Sequence, residues 1–222
     1  CPIGSRGTAG KTINYCLAND LATLVWVANL ASIELHPLLA CGERVNEPTM
    51  IAFDLDPGAP ADLIDCCQVG LWVRDVLDGL GLQSFPKTSG SKGLQLYVPL
   101  NRAGVTYDDT KPFAHAIARL LEKQHPDRVV ERMDKELRGG KVLIDWSQNH
   151  ITKTTVCVYS MRARTRPTVS TPVTWDEVQA ALDARDPSML TFEAPQVLDR
   201  VERHGDLFRP VVELEQGLPE FG

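Results

Sequence analysis

The six cysteines include no C-x-x-C pair, and no apolar run approaches the roughly 20 residues needed to cross a bilayer. Cys1, Cys16, Cys41, Cys66, Cys67 and Cys157 therefore lack the ligand spacing of a structural zinc site, and reduced thiols in a cytoplasmic protein are expected. The longest apolar stretch, 21–39, is interrupted by Asn29, Glu34 and His36, so a membrane location is not expected. An excess of positive charge is also missing: the formal net charge is -6. That argues against a protein basic all over, while leaving room for a local basic face. Internal repeats and low-complexity segments are absent. Nor does the chain open on methionine; Cys1-Pro2 leads to the expectation of an N-terminally truncated piece of a longer protein.

What is present supports a single folded domain over 1–222, because 43% of residues are hydrophobic. Basic residues gather between Arg128 and Arg166, whereas acids are concentrated in 43–80 and 176–220. Residues 1–15 lack periodicity and read as a loop, a remnant reaching about residue 16. Asn19 or Asp20 can cap a helix to about Leu35, with Leu21, Leu24, Val25, Ala28 and Leu35 on its apolar side and Pro37 ending it. Strands are predicted at 50–53, 83–87, 94–100, 141–146 and 154–160. Further helices are predicted from Asp62 to about Leu80, from near Pro112 to Gln124, and from Thr174 or Asp176 to Ala184. The tail from Pro187 is only weakly periodic. Strands and helices mix without regular βαβ repetition, which predicts an α+β fold.

Three short segments carry chemistry. In Phe53-Asp54-Leu55-Asp56-Pro57, strand geometry puts both carboxylates on one face, where they repel unless a cation lies between them. Such oxygen donors suit Mg²⁺ or Mn²⁺; alone, the pair equally fits a solvated strand end. Ser89-Gly90-Ser91-Lys92-Gly93 is a glycine-rich turn between strands, whose amides can form an anion nest beside the Lys92 charge. It lacks the Walker A spacing and also fits an ordinary hairpin. Asp145 ends an apolar strand just after the basic turn 138–141. Three carboxylates and a phosphate nest together point to two-metal phosphoryl transfer. A D-x-D glycosyltransferase would leave the turn and Asp145 unexplained.

Phe-Asp-Leu-Asp-Pro-Gly (53–58), Lys-Thr-Ser-Gly-Ser-Lys-Gly-Leu (87–94), Ile-Asp-Trp-Ser-Gln-Asn (144–149) and Tyr-Ser-Met-Arg-Ala-Arg (159–164) follow in that order. This pattern resembles the polymerase domain of bacterial DNA ligase D and its stand-alone relatives, within the archaeo-eukaryotic primase superfamily. The resemblance implies a primase-polymerase core of mixed or antiparallel sheet flanked by helices. It implies that Asp54, Asp56 and Asp145 bind two Mn²⁺ or Mg²⁺ ions and that Ser89, Ser91, Lys92 and Gly93 hold a triphosphate. His36, Arg138, Gln148 and Arg162 are implied as nucleotide or primer contacts. The implied activity is addition of nucleotides, often NTPs in preference to dNTPs, to a DNA primer–template in gap filling, end joining or priming. Gapped, 5′-phosphorylated DNA, a DNA ligase and an end-binding protein are the implied partners, in the bacterial cytoplasm at the nucleoid. Two departures stand out. The family's Gly-Leu-His is here Gly-Leu-Gln, so Gln95 takes the place of a triphosphate-contacting histidine and carries no charge. The N-terminal part of the family fold, which the resemblance implies supplies 5′-phosphate and template contacts, is expected to be absent from this sequence. A catalytically weakened paralogue acting as a DNA-end binding module is the alternative reading.

Overall fold

The computed structural model describes residues 2–4 and 12–219. Its strands are β1 (Pro2–Gly4), β2 (Thr12–Asn14), β3 (Met50–Pro57), β4 (Phe85–Thr88), β5 (Leu94–Pro99), β6 (Val129–Val130) and β7 (Val142–Asp145). The α-helices are α1 (Leu21–Asn29), α2 (Leu63–Gly79), α3 (Tyr107–Gln124), α4 (Trp175–Ala184), α5 (Ala194–His204) and α6 (Arg209–Glu213). β1 and β2 form a small antiparallel pair; the other strands form one sheet in the order β4-β5-β3-β7-β6. Only the β6–β7 pairing is parallel in that sheet. The architecture is α+β with a mixed sheet flanked by helices, as predicted.

Alternation along β3 sets up the site. Ile51, Phe53 and Leu55 are all fully buried and meet the layer made by α2 and α3. Each such side chain contributes about 1.5–3 kcal/mol by leaving water. Ala52, Asp54 and Asp56 consequently point to the opposite face. There Ala52 joins Leu39, Tyr97, Phe208 and Val211 in a second apolar cluster. The carboxylates thus stand at the edge of a packed floor.

Several predicted boundaries change. Helix α1 stops at Asn29, with Ala31 in the left-handed region at φ 57°, and has no buried side chain. Leu21, Leu24 and Val25 are exposed, contrary to the expected apolar packing face. Residues 154–160 are not a strand. Thr155 N–H donates to Pro37 O and Cys157 N–H to Leu35 O, but Pro37 has no N–H to return a bond, so no ladder propagates. Helix α3 begins five residues before Pro112, because Asp109 accepts from the Thr106 amide and hydroxyl and secures the first turn. α5 and α6 occupy the weakly periodic tail; α5 buries only Val197 and leaves Leu198 and Val201 exposed. In the expected N-terminal loop, 2–4 and 12–14 pair as strands, while 5–11 lie outside the described residues. No helix among the described residues is long and apolar enough to cross a membrane.

Candidate active site

Asp54 lies directly across from Gln95 on β5 and from Asp145 on β7, and Gln95 in turn lies across from Lys87 on β4. One polar row thus runs over four strands. Gln95 Nε2 donates to Asp54 Oδ1 at 3.1 Å. Burial pushes the Asp54 carboxyl up to about 6, with the charges of Asp145 and Asp56 adding to the rise and Gln95 and Lys87 opposing it. Two facing carboxylates in a sheet are destabilising without a counter-charge.

Asp56, two residues on, meets cations. Lys92 Nζ lies 2.8 Å from one carboxylate oxygen and Arg138 Nη1 3.4 Å from the other. Lys92 also donates to Pro57 O at 3.0 Å. Gly58 makes the approach of Arg138 possible: a Cβ there would lie 2.0 Å from the Arg138 carbonyl oxygen. The Gly58 amide bonds Lys141 O, and the Gly140 amide bonds Gly58 O, stitching the basic turn onto the end of β3.

Asp145 ends β7 and caps the short turn that follows. Its Oδ1 accepts from the Ser147 amide and hydroxyl, and its Oδ2 from Gln148 Nε2 at 2.7 Å. Asn149 is fully buried and exchanges two hydrogen bonds with the Ala52 backbone, at 2.9 and 2.8 Å. Its carboxamide acts as a surrogate strand residue beyond the last β3–β7 pair and so fixes the turn to the sheet. Trp146 Nε1 donates to Glu131 O at 3.0 Å, and its ring stacks on His115.

The turn after β4 closes on itself. Ser89 Oγ accepts from the Ser91 and Gly93 amides, and the Ser89 amide donates to Gly93 O. Those three amides are therefore engaged within the turn. Gly90 sits at φ 64°, where a Cβ would also strike the backbone of residues 169 and 170. Arg162 Nη1 donates to Ser89 O at 2.6 Å, Arg164 bonds the Ser91 hydroxyl, and Arg162 Nε lies 3.2 Å from Glu34. His36 bonds the same Glu34 at 3.1 Å. An Ala163 amide bond, followed by His36 and Arg162, holds the Glu34 carboxyl down at about 2.

These contacts gather the predicted site residues into three sets, related through the backbone of β3 and its register with β5 and β7. His36 and Arg162 meet through Glu34, Arg162 clasps the 89–93 turn, Lys92 bridges to Asp56, and Gln95 and Gln148 flank Asp54 and Asp145. The carboxylates are not gathered into a finished cage: among the described residues, no three Asp, Glu, His or Cys groups are arranged to hold a metal. The all-oxygen donor set and the cations drawn to Asp56 nevertheless fit a hard divalent ion. Sequence reading missed Lys87, Glu34, Tyr97 and Ser170. Lys87 heads the 87–94 motif, but nothing local marks a lysine as fully buried.

Residues 4–208 match the family described as LigD, primase-polymerase domain. The chain belongs to this family. It is 41% identical over 210 residues to the multifunctional non-homologous end joining protein LigD of Mycolicibacterium smegmatis, covering 94% of this chain and 27% of that protein. It is 34% identical over 193 residues to the bifunctional non-homologous end joining protein LigD of Bacillus subtilis, covering 86% and 30%. The chain thus spans less than a third of the length of these curated relatives. Among solved structures, the polymerase domain from Mycobacterium tuberculosis ligase D in complex with DNA superposes with a TM-score of 0.85 at 35% identity. That match covers 97% of this chain and 74% of the solved LigD domain. Both the family resemblance and the fold read from the sequence are borne out.

Proposed function

We propose that this chain is a single catalytic domain that adds nucleotides, NTPs in preference to dNTPs, to the primer end of gapped or broken DNA during end joining. The opposition of Asp54 and Asp145 on neighbouring strands, with Asp56 beside them and Lys92 reaching in from the turn, carries this reading. Asp54, Asp56 and Asp145 would hold two Mn²⁺ or Mg²⁺ ions, which when bound activate the attacking primer hydroxyl and stabilise the leaving pyrophosphate. Lys92 is exposed, and an exposed ion pair is worth only about 0–1 kcal/mol. It can therefore leave Asp56 for a triphosphate at little cost. Arg138 and Arg162 supply further positive charge around it. Ser89, Ser91 and Gly93 shape the turn that presents Lys92, with His36 held alongside through Glu34. Gln148 orients Asp145, and Gln95 orients Asp54. Membership of the LigD family supports gapped, 5′-phosphorylated DNA as the substrate, with a DNA ligase and an end-binding protein as partners at the bacterial nucleoid.

The test is primer extension on gapped, 5′-phosphorylated DNA with Mn²⁺ or Mg²⁺, comparing NTPs with dNTPs. Extension that disappears in Asp56→Ala and Asp145→Ala supports the proposal; no extension with either ion in a folded protein overturns the enzymatic part. One observation favours a second reading, a DNA-end binding module of weakened activity: Gln95 is 4% exposed and both ends of its carboxamide are engaged. That reading expects DNA-end affinity that persists unchanged in Asp145→Ala alongside absent extension.

A further inference from the structure

Lys87 is fully buried, yet no carboxylate touches it. Its ammonium donates to Gln95 Oε1 at 2.7 Å, to Val156 O at 3.2 Å and to Ser170 Oγ. Ser170 Oγ donates its own hydrogen bond to Thr88 O at 2.9 Å, which turns a lone pair toward Lys87. All three ammonium protons are thereby satisfied. Burying an ammonium costs several kcal/mol, and an apolar side chain of similar volume would serve stability as well or better. The arrangement therefore calls for an explanation other than stability.

The carboxamide of Gln95 supplies it. A glutamine can present either its oxygen or its NH₂ to a neighbour. Here an ammonium, which only donates, stands on one side, and a carboxylate, which only accepts when ionised, stands on the other. Tyr97 adds a hydroxyl 3.2 Å from the same Gln95 oxygen. The oxygen must face Lys87 and the NH₂ must face Asp54. The sheet register enforces the line, since Lys87, Gln95 and Asp54 are successive cross-strand partners.

We propose that Lys87 is a positioning residue for Asp54, acting through Gln95 as a directional strut that fixes Asp54 Oδ1 and leaves the second oxygen for a cation. This rests on the reading of Asp54 as a metal-holding carboxylate. It also gives Gln95 a role distinct from that of a residue contacting triphosphate directly. Outer partners of metal ligands typically change metal affinity by about 10–100-fold when removed.

The experiment measures Mn²⁺ affinity by electron paramagnetic resonance for the unmodified chain, Asp54→Asn, Lys87→Met, Gln95→Leu and the Lys87→Met/Gln95→Leu pair, with thermal unfolding as the folding check. Each single change in the strut is expected to weaken Mn²⁺ binding about tenfold, and the pair about tenfold as well. Two single losses that multiply in the pair, or no loss in either single variant, would overturn the proposal. Mn²⁺ binding indifferent to Asp54→Asn instead removes the metal reading beneath it. If Lys87→Met fails to fold, the side-chain amide signal of Gln95, assigned by its absence in Gln95→Leu, still decides. It is expected to shift in Asp54→Asn by NMR, and an unmoved signal counts against the strut.

Discussion

Asp54 on β3 and Asp145 on β7 are direct cross-strand partners, and the Asp54 carboxyl is pushed up to about 6, first by burial and then by its acidic neighbours. A folded-state value above the ordinary 3.8 means that ionising Asp54 costs the folded state. The cost is absent below the ordinary value, grows as pH rises, and is fully present above about 6. In divalent-free buffer, Asp54→Asn is therefore expected to stabilise the fold by about 1–3 kcal/mol at neutral pH, the opposing charge of Lys87 being already contained in the Asp54 value. Urea unfolding should show that gap closing near pH 4. A gap of the same size at both pH values would contradict the assignment.

Asn149→Ala removes both hydrogen bonds to Ala52 and leaves a buried backbone N–H and C=O without that partner. A loss of about 3 kcal/mol is expected, read as a lower urea midpoint. A loss below about 0.5 kcal/mol would mean that the surrogate pairing adds nothing.

Gly58→Ala drives a Cβ into the Arg138 carbonyl, 2.0 Å away before relaxation. Backbone must move, at about 1–3 kcal/mol, and the Arg138–Asp56 approach should be lost with it. A crystal structure of the variant checks this; Arg138 unmoved beside Asp56 would refute the expectation.

Glu34→Gln removes the charge that pairs Arg162 and bonds His36. On the proposed function, KM for the nucleotide should rise about fivefold with kcat less affected, since one hydrogen-bonded contact is worth about 1 kcal/mol. The sign of the pH effect follows from the lowered Glu34 value of about 2: its contribution to stability is present above the ordinary 4.5 and fades as pH falls through about 2. Steady-state kinetics with kcat reduced and KM unchanged would point away from a nucleotide-side role.

Local chemistry in the sequence was enough to determine the D-x-D strand, whose period of two places Asp54 and Asp56 together, and the helices opened by Asp62 and Thr174, whose side chains reach amides two or three residues away. The order of the motifs also determined the family. Tertiary structure alone decided that Lys87, Gln95, Asp54 and Asp145 form one row, because register depends on strands distant in the chain pairing through their backbones. It likewise decided that Ser89 occupies the amides of its own turn, that Pro37 prevents residues 154–160 from forming a ladder, and that Leu21, Leu24 and Val25 of α1 remain exposed. Periodicity can say that a side chain prefers an apolar face, but burial, and with it the shifted proton affinity of Asp54, exists only once distant segments have packed together.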